Sequence, residues 1–204
     1  MNLIDLSYPI SNNMTTYPTD PDVTIRMEKN IKTHHSLLHS FSMGTHTGTH
    51  LDAPAHVIKN GKTLDEIDLN HFIGRAIMID KDSYYKLENF DENIDGVIFN
   101  TGWYNYFQNP DIFYGSGRPE IPNDLIEMCL ELDIRFFGCD LPSVDQSGSI
   151  KKPIHNSLLG YNIVIYEKLT NLGEIPSLSC FKFIGFPLSL SGLDGSPVRA
   201  VAII

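Results

Sequence analysis

The 204-residue sequence is poor in cysteine and contains neither a long apolar run nor a cluster of basic residues. Its three cysteines, at positions 129, 139 and 180, form no C-x-x-C pair, which argues against a disulfide framework or a thiolate zinc site. Because no apolar run reaches membrane length and no basic N-terminal region precedes one, we expect a cytoplasmic protein that spans no membrane. The formal net charge of -10 argues against a nucleic-acid partner.

A hydrophobic content of 42% over this length can bury the core of one domain, which we place at residues 1–204. Runs rich in β-forming residues predict strands at residues 3–10, 23–27, 37–43, 76–79, 97–100, 135–138, 162–166, 181–190 and 198–204. Helices are expected from Pro122 onward, at residues 155–161 and near residues 64–72. Many strands and few helices predict an α/β fold, a β-rich domain with a mixed sheet.

The most informative segment is T-H-T-G-T-H-L-D-A-P-A-H, residues 45–56, which places His46, His50, Asp52 and His56 within eleven positions. Imidazole and carboxylate together are ligands that suit zinc or manganese. A single histidine in such a stretch would more often be a polar loop residue bonded to backbone. Four clustered groups favour a metal-centred hydrolytic site instead.

The local conformation of this segment stays open between a tight loop and a strand. His46 and His50 have the spacing of the helical H-E-x-x-H motif, but Thr47 stands where that motif has its glutamate. Gly48 and Pro54 disfavour a regular helix. A loop could turn all four side chains inward, and the even spacing would also place them on one face of a strand.

Two further candidates lie in the second half of the chain. His155 is the only histidine after position 71 and follows Pro153 at a predicted helix start. Glu167 ends a run that otherwise looks like a buried strand, and a charge at such a position needs a partner or a metal ion.

These residues resemble the signature of a known family. The segment H-T-G-T-H-L-D-A-P-A-H is similar to that of the cyclase family of metal-dependent hydrolases, which includes bacterial kynurenine formamidases and isatin hydrolases. Further matching segments follow in order along nearly the whole chain, at residues 17–20, 101–103, 138–145, 155, 167–172 and 194–200.

The resemblance implies a fold of the swivelling β/β/α type and two divalent metal ions per chain, zinc first and manganese second. It implies that His46, His50 and Asp52 hold one ion, that His155 holds the other, and that Asp52 and Glu167 touch both. His56 resembles the acid/base residue of the family. The resemblance also implies a homodimer or homotetramer whose active site can borrow residues from a neighbour.

The expected reaction is attack of metal-activated hydroxide on a small, aromatic amide, formamide or lactam, with His56 relaying a proton to the departing nitrogen. His56 could instead be a further nitrogen ligand or a hydrogen-bonding partner of the ligands. Asp140, Ser143 and Asp145 could either hydrogen-bond to the metal ligands or shape a turn, and the turn is favoured because Pro142 stands beside them. Asp194 and Gly195 are expected in a tight turn that joins the last two strands.

For the substrate, Tyr17 and Trp103 are predicted to bind a flat aromatic group. N-formylkynurenine is the leading specific substrate. Tyr17 and Thr19 depart from the Trp and Gly that kynurenine formamidases usually carry, so another amide, a lactam or a lactone is also open. The alternatives are a cyclase or dehydrating lyase on the same metal centre, and a noncatalytic binder of a metal or small ligand.

Overall fold

The computed structural model describes residues 1–90 and 93–204, and all structural statements below refer to those residues. The chain folds around a nine-stranded sheet, beside which lies a separate two-stranded ribbon. The strands are β1 (Leu3–Asp5), β2 (Thr24–Lys29), β3 (Leu38–Ser42), β4 (His50–Asp52), β5 (Ile73–Asp80), β6 (Gly96–Asn100), β7 (Phe136–Cys139), β8 (Val164–Glu167), β9 (Cys180–Ile184), β10 (Gly195–Pro197) and β11 (Val201–Ile203).

The large sheet is mixed, as the sequence predicts. Its order is β1-β11-β9-β5-β6-β7-β8-β4-β10, in which β5 to β8 are parallel and the outer strands pair antiparallel. The central strands are apolar on both faces because both faces are covered, which is usual for parallel strands. Ile77 and Ile79 pack in one core cluster, whereas Ala76 and Met78 pack in the other.

The α-helices are few and short. They are α1 (Ile31–His34), α2 (Pro110–Phe113), α3 (Asn123–Glu131) and α4 (Pro153–Gly160). The helix predicted from Pro122 is confirmed as α3, with Pro122 as its N-cap and Leu125, Ile126 and Cys129 buried. Together α3 and α4 cover the sheet face that carries Ile77 and Ile79. Among the described residues, no helix is long and apolar enough to cross a membrane.

Several predicted elements are shorter or different in the structure. Residues 64–72 form two 3₁₀ turns, Leu64–Glu66 and Leu69–Phe72, rather than one helix. They are separate because Asp68 is extended and starts the second turn, its carboxylate accepting the N–H of Asn70. The strand predicted at 181–190 ends at Ile184, before Gly185 and Pro187, since proline offers no N–H to the ladder.

The ribbon of β2 and β3 stands apart from the core. Within the described residues, these two strands pair only with each other, and most of their side chains are exposed. The strands and the connection between them expose large apolar side chains: Met27, Ile31, Leu37, Leu38 and Phe41. The side-chain amide of Asn12 ties the ribbon to the N-terminal segment, because it donates to the carbonyl of Ile25 and accepts the N–H of the same residue.

Candidate metal centre

The histidine-rich segment uses both conformations that the sequence leaves open. A turn with Gly48 at φ 60° leads into the three-residue strand β4, and a 3₁₀ turn, Pro54–His56, follows it. The positive φ at Gly48 suits glycine because it has no Cβ. Strand β4 runs antiparallel to β8, in a register that sets His50 directly opposite Glu167. Residues more than one hundred positions apart in sequence thereby meet in one buried site.

Asp52 and Glu167 form the centre of the site, between two imidazoles. His50 Nε2 lies 3.3 Å from Asp52 Oδ1 and 3.5 Å from Glu167 Oε2. His155 Nε2 lies 3.4 Å from Asp52 Oδ2 and 3.4 Å from Glu167 Oε1. Each carboxylate therefore offers one oxygen toward His50 and the other toward His155, and all four side chains are buried.

The two imidazoles are oriented by hydrogen bonds on their far side. His50 Nδ1 donates to the carbonyl oxygen of Gly48 at 2.9 Å, and His155 Nδ1 donates to Asp145 Oδ2 at 2.6 Å. With the proton held on Nδ1, the Nε2 atom of each ring is left to face the carboxylates. This arrangement is typical of metal-ligating histidines.

The structure favours the alternative role of Asp145, because its side chain bonds to the ring of His155 and does more than shape a turn. Its carboxylate also accepts the backbone N–H groups of Ile154 and His155, so it caps the first turn of α4. The same carboxylate thus fixes the helix start and the ring of His155. Asp140 acts elsewhere: it accepts the backbone N–H groups of Thr101 and Tyr104 and holds that loop.

His46 joins the cluster from the turn before β4. Its Nδ1 lies 2.7 Å from Asp52 Oδ1 and its Nε2 lies 2.9 Å from Asp194 Oδ2. The expectation that Asp194 lies in a tight turn between the last two strands is wrong. Asp194 directly precedes β10, the strand that pairs with β4. Its carboxylate also accepts from His56 Nδ1 at 3.3 Å.

Both ring nitrogens of His56 have a hydrogen-bond partner. Nδ1 faces Asp194, and Nε2 lies 2.8 Å from the Nζ atom of Lys152. Burial lowers the pKa of His56, against the opposing effect of Asp52, so the ring is neutral at pH 7. Lys152 is a residue that the sequence analysis does not single out.

The donor set fits a divalent metal ion. Asp52 Oδ2 is buried and accepts no hydrogen bond among the residues that the structure describes, although His155 Nε2 lies 3.4 Å away, so this oxygen is available to a metal ion. Ligand atoms of His50, Asp52 and Glu167 lie within 4.8 Å of one another, as do those of His46, Asp52 and His56. Nitrogen and oxygen donors without sulfur suit zinc or manganese.

In the metal-free protein, protons offset the buried carboxylates. Burial would lower the pKa of His46, but Asp52 and Asp194 outweigh it and raise that pKa to about 10. For His155, burial is likewise outweighed, by Asp145, Asp52 and Glu167, and the pKa rises to about 11. A bound metal ion would replace these protons, because ligand nitrogens must be deprotonated.

Comparison with known proteins identifies the family to which the chain belongs. Residues 4–146 match the family model described as "Putative cyclase". The chain belongs to the cyclase family.

Relatives of this cyclase-family chain cover it almost completely. A kynurenine formamidase of Bacillus cereus is 32% identical over 208 residues, which span 97% of this chain and 95% of the relative. The kynurenine formamidase of Salinibacter ruber is 33% identical over 211 residues, 98% of this chain and 97% of the relative.

Solved structures share the fold of this cyclase-family chain. Isatin hydrolase A from Ralstonia solanacearum superposes with a TM-score of 0.83 at 22% identity, covering 98% of this chain and 91% of that one. An isatin hydrolase bound to the product analogue thioisatinate gives a TM-score of 0.85 at 23% identity, covering 99% and 92%.

A cavity of about 290 Å³ opens onto this site of the cyclase-family chain, a size suited to a small ligand. Its described lining residues include Tyr17 but not Trp103, the other predicted substrate-binding residue. Trp103 instead donates its indole N–H to the carbonyl of Phe113 and packs against an aromatic cluster. Tyr17 lies edge-on to Tyr114, with ring centroids 5.5 Å apart.

Three cationic side chains also line the cavity, and the sequence analysis does not identify them as site residues: Arg118, Lys152 and Lys168. Lys168 is buried and donates to the carbonyl of His46 at 3.0 Å. Arg118 is buried as well, and its Nη2 donates to the carbonyl of Asp145. These cations come from three distant segments. Lys168 follows Glu167 in the matching segment 167–172, whereas Arg118 and Lys152 lie outside the matching segments.

Proposed function

We propose that this cyclase-family protein is a metal-dependent amidohydrolase that acts on a small, aromatic amide, formamide or lactam. N-formylkynurenine is the leading specific substrate, since the kynurenine formamidases are relatives along nearly the whole chain. The observation that carries the proposal is the pair of carboxylates, Asp52 and Glu167, each shared between His50 and His155. The buried Asp52 Oδ2, which accepts no hydrogen bond among the described residues, supports it.

In this proposal His46, His50, Asp52, His155 and Glu167 hold two divalent ions, zinc or manganese. When bound, such ions supply Lewis acidity, which polarises a substrate carbonyl and lowers the pKa of water. The protein fixes the donors in advance: Gly48 and Asp145 hold the two imidazoles through Nδ1, and the backbone N–H of Val144 donates to Glu167 Oε1 at 2.7 Å. Such preorganisation avoids rearrangement during the reaction.

His56 is the proton carrier in the proposed reaction. Hydrolysis adds the oxygen of water to the carbonyl carbon, breaks the C–N bond and requires a proton on the leaving nitrogen. His56 is neutral, lines the cavity and points Nδ1 at Asp194, so Nε2 is the ring atom that can take a proton and pass it on.

The test is an activity screen of protein that has been stripped with a chelator and reloaded with zinc or manganese. We expect hydrolysis of N-formylkynurenine, formanilide or isatin only after reloading, with oxygen from ¹⁸O-labelled water in the acid product. Elemental analysis of the reloaded protein gives the number of ions. Turnover that needs no metal contradicts the proposal. Metal-dependent turnover that closes a ring without incorporating solvent oxygen also contradicts it and supports a lyase or cyclase.

We further propose that the protein is a homodimer or homotetramer in which a second copy covers the β2–β3 ribbon. An isolated two-stranded ribbon is marginally stable in water, and this one exposes large apolar side chains on a protein whose net charge is -10. Another copy of the same acidic chain can cover that surface through apolar contacts alone. Light scattering after gel filtration measures the oligomeric state, and a monomer at micromolar concentration contradicts the proposal.

A further inference from the structure

Lys152 occupies a backbone conformation that its side chain does not favour. It is the N-cap of α4, with φ 41° and ψ 58°, in the left-handed region. A Cβ atom is crowded there, so glycine, asparagine and aspartate are the residues that adopt this conformation routinely. Lysine also lacks the short side-chain acceptor that N-cap residues use, and among the described residues none receives a capping bond from its side chain.

The charge of Lys152 is also misplaced for local stability. The N-terminus of a helix carries a partial positive charge, so a cation at the N-cap is repelled. Lys151, just before it, adds a second cation. Conformation, capping and charge all disfavour lysine at this position, and local rules broken together are typical of sites kept for function.

The contact that the Lys152 side chain makes explains why lysine stands at this position. Its Nζ lies 2.8 Å from His56 Nε2, at the wall of the cavity. An ammonium group has three donors and no acceptor, so Nε2 must be the acceptor in this bond. The ring proton of His56 then resides on Nδ1, where it faces Asp194 Oδ2 at the long distance of 3.3 Å.

We propose that Lys152 is a positioning residue that fixes the tautomer of His56, leaving Nε2 as the unprotonated atom, and that it is retained at a locally unfavourable position for this purpose. The ammonium also repels a metal cation from Nε2, which argues for His56 as a proton carrier rather than a further ligand. Only the expected effect on catalysis rests on the proposed function. The effects on stability and on the His56 tautomer do not.

The first test needs no substrate. Lys152→Asn places a residue that accepts the left-handed conformation and the N-cap position, but cannot reach His56. We expect the Tm of the zinc-loaded protein to rise by about 2–4 °C, as for a modest stabilisation of a chain this long. In two-bond ¹H–¹⁵N spectra at pH 7.5, we expect His56 Nε2 to be unprotonated in the parent protein and partly protonated in the variant.

The second test measures catalysis. For Lys152→Asn we expect kcat to fall by about ten- to a hundred-fold with little change in KM, the range seen when a partner of a catalytic group is removed. Lys152→Arg keeps a cationic donor and should retain at least about a third of kcat, with an unchanged Tm. Lys151→Asn is the matched control, since it removes a neighbouring exposed charge and should leave kcat and the His56 signals unchanged.

Each readout can overturn the inference. A fall in Tm for Lys152→Asn shows that lysine is not locally unfavourable, and an unprotonated Nε2 in that variant shows that Lys152 does not set the tautomer. Loss of kcat in Lys152→Arg as large as in Lys152→Asn contradicts the role as a donor. If the metal-loaded parent hydrolyses no amide, the proposed function fails, while the Tm and the Nε2 signal still decide the role of Lys152.

Discussion

Two regions of the molecule reverse the usual placement of polar and apolar side chains, in opposite directions. Around β4 and β8, charged and imidazole groups are buried: Asp52 is 0% exposed, His50 1% and Glu167 4%. On the β2–β3 ribbon, large apolar groups face water: Phe41 is 63% exposed and Met27 59%. Buried polar groups and exposed apolar patches are the informative exceptions on any protein.

The two exceptions differ in how they are held. The buried side chains of the proposed metal centre have fixed partners, such as Asp145 for His155 or the Val144 N–H for Glu167, because unpaired charges in an interior are costly. The ribbon has almost no such support, and Asn12 makes its hydrogen bonds to the N-terminal segment. Rigid polar groups inside favour chemistry, whereas a loosely held apolar surface favours association.

The largest expected effect comes from removing the central charge of the buried region. Asp52→Asn leaves His46 and His155 without the carboxylate that faces both of them. Because breaking a buried ion pair leaves an uncompensated charge, we expect the metal-free protein to lose about 3–5 kcal/mol of unfolding free energy. We also expect metal binding and hydrolysis to be lost. Urea unfolding and elemental analysis measure the two effects.

Asp140→Asn is the matched control for that change. Asp140 is equally buried, but its carboxylate holds Thr101 and Tyr104 rather than an imidazole. We expect this variant to keep its metal ions even where it loses stability. If both variants bind metal equally, the buried region is an ordinary ion-pair network and not a metal centre.

The sequence predicts which side chains the structure brings together, because chemistry-bearing residue types stand close together in one segment and a charge ends an apolar strand. It predicts the central strands and α3 for the same reason: their apolar periodicity is local. It does not reveal the contacts of Asp194 and Lys152 with His56, since neither spacing nor residue type links them to that ring. Their contacts depend on the pairing of β4 with β10 and on the start of α4, which only the folded chain defines.

A smaller effect is expected from weakening the support of one ligand. Asp145→Asn keeps the shape of the side chain and can keep the bond from the Ile154 N–H. It places an NH2 group, which donates, where Oδ2 accepts from the backbone N–H and Nδ1 of His155. We expect metal affinity and kcat to fall by about 10- to 100-fold, as for other partners of metal ligands. Asp68→Asn is the control, since Asp68 caps a 3₁₀ turn. Equal metal affinity in the two variants would mean that the ring of His155 needs no fixed partner.

The ribbon gives the next effect, on association alone. Phe41→Ser removes the most exposed aromatic side chain of the ribbon. We expect the proposed oligomer to dissociate about 10- to 100-fold more readily, since a buried Phe contributes about 1.5–3 kcal/mol. Metal content should not change. Leu69→Ser alters a side chain that is 67% exposed outside the ribbon and should leave the oligomer intact. Sedimentation that responds equally to both changes would place the interface elsewhere.

The smallest effect should come from Asn12→Ala, which cuts the two hydrogen bonds between the N-terminal segment and Ile25. These bonds are exposed, so we expect Tm to change by less than about 2 °C. Amide hydrogen exchange should nevertheless speed up in β2 and β3 and stay slow in β4 and β8, because the ribbon can open without the sheet. Faster exchange in β4 as well would show that the ribbon and the ligand cluster form one cooperative unit, so that covering the ribbon also stabilises the metal centre.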